Sequence, residues 1–360
     1  MSKRASVVIA LLGALVALGA AGCNKHRPAQ TAGYPPPGGP GPYGPSPYYP
    51  GTPAPGPGPA APPVTPPPPA PPPLPPQPPV YNDPINNLDL GWLRQRAQQV
   101  LSELVAALAP DRRALVQNIP LIVDPTVGEV NAFAACSDGR AAMAISDGLL
   151  EIEAQMSQCR ATDELFGTRK LDAYVQLVAT QQRPDQPIVR PAPGFYDQAQ
   201  QVEGRKVLRQ HQLMDEQLGF VLGHELAHHY LLHTGCVGGG GGISPDNIGR
   251  ILSNVVPTFN QPNEIAADTT GVDNVLTAGA RRPDYHYTEG GALMTLDFFS
   301  ALQQLSPEAV LFAFQSSHPP PQVRRPLVQQ AAAQWRARGG APAPPSPLPL
   351  PFPIPIPGFG

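Results

Sequence analysis

The stretch from Phe220 to His233 reads FVLGHELAHHYLLH, and it determines how the rest of the sequence is interpreted. It closes the longest segment with helical periodicity, Val207–His233. His224 and His228 are four residues apart, so both imidazoles project from one helical face and can reach one tetrahedral metal ion. Glu225 is next to them and is placed to accept a proton from a water that the ion activates. The stretch therefore predicts a zinc-binding helix that carries its own general base.

Zinc in a catalytic site needs a third protein ligand and an open position. The metzincin arrangement would put a third histidine ten residues after the first, but Thr234 occupies that position. Glu264 is the predicted ligand instead, 36 residues after His228 and near the start of a predicted helix. Asp268 follows one turn later on the same helical face, where it can accept a hydrogen bond from a liganding imidazole.

Proline divides the chain into three parts. Of its 52 prolines, 27 precede residue 85 and nine follow residue 341, so the residues between carry an ordinary share. We therefore predict one globular domain over residues 85–340, between a disordered linker at 24–84 and a disordered tail at 341–360. The net charge of −3 and the charged fraction of 14% indicate no basic face, which argues against nucleic acid as a partner.

The first 23 residues have the pattern of a secretory signal peptide, with two basic residues, a largely apolar run, and small residues before Cys23. This end resembles a bacterial lipoprotein box, in which the cysteine is lipidated, although Ala20 replaces the usual leucine. Asn24 differs from the aspartate that retains such lipoproteins in the inner membrane. The resemblance therefore implies a periplasmic protein anchored to the outer membrane through Cys23. An uncleaved N-terminal membrane anchor is the alternative.

Periodicity in the rest of the domain predicts an α+β fold that is mostly helical. The predicted helices are Leu88–Leu108, Leu149–Gln158, Asp163–Val178 and Val207–His233. The predicted strands are Ile119–Val123, Val130–Ala135 and Ala141–Ile145, the last two joined by a Ser-Asp-Gly hairpin turn. A loop is expected at Gly238–Gly242. The aromatic side chains expected in the core are Trp92, Phe298, Phe299, Phe312 and Phe314.

Three cysteines remain if Cys23 is lipidated, namely Cys136, Cys159 and Cys236. In an oxidising compartment one pair can form a disulfide, which leaves one thiol over. We predict the pair Cys136–Cys159. Cys236 comes soon after the zinc-binding helix and has two other interpretations, an inhibitory zinc ligand or a structural thiol.

These features together resemble the gluzincin metallopeptidases of the HtpX and CAAX-prenyl-protease family, specifically its soluble, periplasmic lipoprotein branch. The matching blocks are the hairpin region 130–150, the histidine motif 224–228 with His233 beyond it, the segment Glu264–Asp268, and Ser317-His318-Pro319 with Arg324. They span about residues 90–330 in the family's order. The connection between hairpin and histidine motif is longer than usual, so residues 155–205 are predicted to be an insertion. It could be a lid, a docking surface or inert surface decoration.

The resemblance implies a small sheet along the active-site helix and one Zn²⁺ per chain. The residues implied at the metal are the ligands His224, His228 and Glu264, the base Glu225, and Asp268, which orients a liganding histidine. The other two histidines of the motif region are expected to be structural. His229 points off the zinc face, and a continuous helix would place His233 about 180° away from His224.

The resemblance also implies how substrate is held. The strand at Asn131, Ala132 and Phe133 would receive an extended substrate by strand addition. His318 and Arg324 would lie by the cleft, where they stabilise the tetrahedral intermediate or occupy the open zinc position in a closed state.

The function implied is that of a zinc-dependent endopeptidase, which cuts exposed segments of misfolded or misassembled envelope proteins. Two alternatives stay open. One is a chaperone-like lipoprotein that grips extended chains without cutting them, against which the intact Glu225 argues. The other is a gluzincin of thermolysin type, which shares the later glutamate and aspartate.

Overall fold

The structure is a computed structural model, and it describes residues 79–137, 139–236, 261–306, 312–314 and 318–342. Several predictions fall outside these residues. They concern the signal peptide with Cys23, nearly all of the proline-rich linker, the glycine loop at 238–242, Ser317, and the tail from residue 343 onward.

The described residues are mostly helical and include a small three-stranded sheet, which confirms the predicted fold class at that level. The helices in chain order are α1 (Leu90–Ala107), α2 (Pro110–Val116), α3 (Asp147–Phe166), α4 (Lys170–Gln181), α5 (Gln198–Gln201), α6 (Gly204–Tyr230), α7 (Gln261–Gly279), α8 (Gly290–Leu305) and α9 (Pro321–Ala337). The strands are β1 (Leu121–Asp124), β2 (Ala132–Ser137) and β3 (Arg140–Ser146). Among the described helices, none combines the length and the apolar character that a membrane crossing requires.

The sheet has the strand order β1–β3–β2, with β1 parallel and β2 antiparallel to β3. The predicted hairpin is confirmed, with Phe133 opposite Ala144. Gly139 in its turn has a φ of 74°, a conformation that glycine adopts without strain. β2 forms one edge of the sheet and packs against α6.

The predicted boundary between two helices near residue 160 is wrong. α3 continues through this region and ends only where Gly167 turns into the left-handed conformation, with a φ of 65°. The carboxylate of Asp163 then accepts hydrogen bonds from the backbone N–H groups of Lys170 and Leu171, at 2.6 and 2.9 Å. Asp163 therefore lies in the last turn of α3, and its side chain caps the first N–H groups of α4. It does not begin a helix itself.

The predicted insertion at 155–205 belongs in part to the core. Tyr174 of α4 is fully buried, and its ring stacks on that of Phe298 in α8 with centroids 6.0 Å apart. The four phenylalanines expected in the core are buried, whereas Trp92 is only half-buried. Because α4 packs into the core, the insertion is more than inert surface decoration.

α6 is the central helix, in contact with α1, α3, α7, α8 and the sheet. It packs against α7 with glycines facing each other, Gly223 of α6 and Gly271 of α7. A Cβ atom on Gly271 would lie 2.9 Å from the Gly223 carbonyl oxygen, closer than real Cβ contacts. The two backbones are therefore in close contact one residue before His224.

The structure pairs Cys136 with Cys236, so the predicted bridge between Cys136 and Cys159 is wrong. Cys136 lies in β2 and Cys236 follows α6, and their Cα atoms are 5.8 Å apart, a normal distance for a disulfide. Cys159 is fully buried in α3, and burial raises the pKa of its thiol to about 12. Because Cys236 is bridged, it is not an inhibitory zinc ligand either.

We expect the Cys136→Ser/Cys236→Ser variant to unfold with a free energy about 2–4 kcal/mol lower than wild type. The bridge joins residues 100 positions apart, so its loss releases a long loop in the unfolded chain. Urea denaturation without reductant measures the difference, which should vanish when reductant is added to both proteins. Non-reducing peptide mapping that links Cys136 to Cys159 would contradict this pairing.

Candidate metal centre

Three side chains from two helices meet where α6 and α7 cross. The Nε2 atoms of His224 and His228 are 3.1 Å apart. Each of them lies 3.3 Å from a carboxylate oxygen of Glu264. Ligand atoms about 2.0–2.1 Å from a tetrahedral zinc ion are about 3.3 Å from one another. The spacing of these three groups therefore suits a single ion between them.

His318 lies against the same group, in the segment that precedes α9. His224, Glu264 and His318 are buried and offer ligand atoms that all lie within 4.8 Å of one another, so this group could bind a metal ion. The Nε2 atom of His318 is also 3.4 Å from Oε1 of Glu225. His318 is thus beside both the metal-binding group and the predicted base.

Asp268 and Arg324 form a layer behind His224. Asp268 Oδ1 lies 2.8 Å from His224 Nδ1, so it can hold the ring with Nε2 directed at the ligand group. The Arg324 guanidinium donates two hydrogen bonds to the Asp268 carboxylate, at 2.8 and 2.7 Å. Burial would raise the pKa of Asp268, but the charge of Arg324 outweighs it and lowers that pKa.

The position of Arg324 differs from the predicted one. Its side chain is 2% exposed, and both donors named above point at Asp268 rather than at the Nε2 side of His224, where substrate would lie. Direct contact with a reaction intermediate does not fit this position. Arg324 instead contacts Asp268, which lies against His224.

The next two histidines in the chain, His229 and His233, each contact a polar partner. His229 Nε2 lies 3.0 Å from the carbonyl oxygen of Ala142, so it can donate a hydrogen bond that ties α6 to β3. His233 is beside His228, with their Nδ1 atoms 3.1 Å apart. The predicted 180° separation from the zinc face is wrong, because α6 ends at Tyr230 and the chain turns back.

The two ligand imidazoles differ in their affinity for protons. Burial would lower the pKa of His224, but the hydrogen bond and charge of Asp268 outweigh it and raise that pKa to about 9. Burial and the neighbouring His224 lower the pKa of His228 to about 4. His228 is therefore neutral at pH 7 and has a lone pair to offer a cation.

The two glutamates of the centre are ionised at neutral pH. Burial would raise the pKa of Glu264, but the facing His224 outweighs it and lowers that pKa to about 2. Burial would also raise the pKa of Glu225, and the facing His318 and His224 outweigh it in the same way. The centre thus holds two buried carboxylates that face imidazoles.

Two oxygens of these carboxylates test whether the site suits a cation. Oε1 of Glu225 and Oε2 of Glu264 are buried and accept no hydrogen bond within the described part of the chain. Beside them are imidazole nitrogens at long range, His318 Nε2 at 3.4 Å from Glu225 and His224 Nε2 at 3.3 Å from Glu264. A buried, charged oxygen that is so weakly compensated is costly, and a bound cation would remove that cost. The residues present therefore fit a divalent metal ion.

The predicted substrate strand lies at the sheet edge next to α6. Ala132 and Phe133 are the first residues of β2, and Asn131 precedes them. Within the described ranges β2 pairs only with β3, so its other edge faces away from the sheet. The Phe314 N–H donates to the Val130 carbonyl, 3.1 Å away, just before this edge begins.

Sequence reasoning missed several residues that build the centre. Gly223 and Gly271 allow α6 and α7 to approach, and a glycine directly before the histidine motif inside a helix was the available signal. The hydrogen bonds of His229 and His233 have no signal of this kind, because the first depends on how α6 packs against β3 and the second on how the chain continues beyond the helix.

The geometry defines a class of site, a buried two-histidine, one-carboxylate group with a second carboxylate beside it on crossing helices. A scan against protein-family models, a search of curated proteins and a search of solved structures each found no match.

Proposed function

We propose that the protein is a zinc-dependent endopeptidase with a gluzincin-type centre, similar to the HtpX and CAAX-prenyl-protease family. The observation that carries the proposal is the meeting of His224, His228 and Glu264 at 3.1–3.3 Å, with the ionised Glu225 next to them. Two imidazoles and one carboxylate form the ligand set of many hydrolytic zinc sites.

His224, His228 and Glu264 would hold the ion. When bound, Zn²⁺ supplies Lewis-acid chemistry, which lowers the pKa of a water molecule and polarises a peptide carbonyl. Glu225 takes the proton from the attacking water and passes it to the leaving amine, so one residue serves as base and then as acid. Its ionised state at neutral pH is what the first of these steps requires.

The remaining residues orient these groups. Asp268 accepts a hydrogen bond from the Nδ1–H of His224, and Arg324 holds Asp268 by two hydrogen bonds. His318 has two roles that agree with its place near Glu225 and Glu264. In the first role it donates a hydrogen bond to the substrate carbonyl oxygen, on which negative charge develops. In the second it occupies the open position of the zinc ion in a closed state.

The substrate class and location follow from the resemblance and from the N-terminal pattern. An extended segment of a misfolded or misassembled envelope protein would add to the edge of β2 at Asn131, Ala132 and Phe133 that pairs with no strand among the described residues. A lipid on Cys23 would hold the enzyme at the outer membrane, facing the periplasm.

We expect the full-length protein to hydrolyse unfolded casein, to lose this activity with a zinc chelator, and to regain it when Zn²⁺ is restored. Gel electrophoresis of the products measures it, and the His318→Ala variant is run in parallel because a closed state would hide activity. Zinc-loaded wild type and His318→Ala that both bind casein but leave it uncut would favour the chaperone-like alternative. Cutting that persists in chelator would contradict the role of the metal.

A further inference from the structure

The chain reverses direction immediately after the metal-binding helix. The N–H of His233 donates to the His228 carbonyl at 2.8 Å, and the N–H of Leu232 donates to the His229 carbonyl at 3.0 Å. This pair of bonds is a Schellman motif, which ends a helix by putting one residue in the left-handed conformation. That residue is Leu232, with a φ of 65°.

Leucine is an unfavourable residue at such a position, where glycine is usual. Its side chain is 58% exposed, so burial does not offset the strain in its backbone. A strained residue persists only where the surrounding structure holds it, and such residues cluster at functional sites. The left-handed Leu232 is the residue at which the chain turns back over the end of α6.

The turn brings His233 onto His228. On a continuous α-helix a residue five positions later lies about 140° round the axis, out of reach. After the turn the two rings meet edge to face, with centroids 5.1 Å apart and Nδ1 atoms separated by 3.1 Å. His228 thus contacts Glu264 through Nε2 and His233 through Nδ1.

Metal binding would define which nitrogen of each ring carries the proton. For His228 to bind a metal through Nε2, its proton must be on Nδ1. That N–H then donates to Nδ1 of His233, whose own proton is on Nε2. We infer that His233 is a positioning residue for the metal ligand His228, as Asp268 is for His224, an inference that rests on the proposed zinc site.

The turn that carries His233 is linked both to α6 and to the sheet. The Thr234 hydroxyl lies 3.2 Å from Nδ1 of His229, whose other nitrogen contacts β3. Two residues later Cys236 is bridged to Cys136 of β2. These links hold the turn, and His233 with it, against the sheet.

The test compares two replacements in the full-length protein. Asparagine puts its Oδ1 where His233 has Nδ1, so His233→Asn keeps an acceptor for His228, whereas His233→Phe keeps only the ring shape. Zinc affinity is measured by competition with a chromophoric chelator. We expect about a tenfold to hundredfold loss in His233→Phe and most of the affinity restored in His233→Asn. His286→Ala, an exposed histidine in the loop after α7, is the matched control.

Circular dichroism and thermal unfolding of the metal-free proteins show whether each variant is folded. Wild-type affinity in folded His233→Phe would overturn the positioning role, and so would equal losses in both variants, because the acceptor would then not matter. In both cases wild type still binds zinc and the proposed function stands. Absence of zinc binding by wild type would instead contradict the proposed function.

Discussion

Replacing Glu225 by glutamine is expected to slow casein hydrolysis by about 10²–10⁴-fold while zinc stays bound. Glutamine has nearly the same shape but accepts no proton, so the attacking water loses its base. Glu225 is not one of the three groups that meet at 3.1–3.3 Å, so the ligand set is intact. Initial rates of cleavage and zinc content, measured on the same preparations, test both halves of the expectation.

The matched control for this variant is Glu164→Gln. Glu164 is a partly exposed residue of α3 that pairs with Arg160 and Arg209, and surface pairs of this kind contribute about 0–1 kcal/mol. Its activity should equal that of wild type. Full activity in Glu225→Gln would show that another group removes the proton.

Replacing Asp268 by leucine is expected to lower the free energy of unfolding of the metal-free protein by about 3–5 kcal/mol. Arg324 would keep its charge in a fully buried position without the carboxylate that it now binds. Zinc affinity should also fall by about 10–100-fold, because Nδ1 of His224 loses its acceptor. Urea denaturation and chelator competition measure the two effects.

A second replacement separates these effects. In Asp268→Leu/Arg324→Met the buried pair becomes apolar, which is often neutral for stability, so much of the lost stability should return. Zinc affinity should stay low, because His224 still lacks its partner. If zinc affinity recovered together with stability, Asp268 would be structural rather than a positioning residue.

The part of the centre that could be predicted from the sequence depends on single helices. The spacing of His224 and His228 determines their relation once the segment is helical, and Glu264 and Asp268 share a face of α7 for the same reason. The meeting of the two pairs is tertiary. It depends on the approach of Gly223 to Gly271, which becomes visible only when both helices are in place.

The errors concern residues whose place depends on where an element ends or what it meets. The position of His233 depends on the end of α6 at Tyr230, and Leu232 is a residue from which no left-handed turn is expected. The direction of Arg324 depends on the carboxylate that it meets across 56 residues of sequence. Disulfide pairing among three thiols likewise depends on the tertiary fold, because sequence spacing does not select one pair.

The most direct test of the central claim is the zinc content of the purified full-length protein, measured by inductively coupled plasma mass spectrometry after incubation with Zn²⁺ and removal of the unbound metal. We expect about one zinc per chain in wild type and none above background in the His224→Ala/His228→Ala variant. Equal zinc content in the two proteins, or none in a folded wild type, would contradict it.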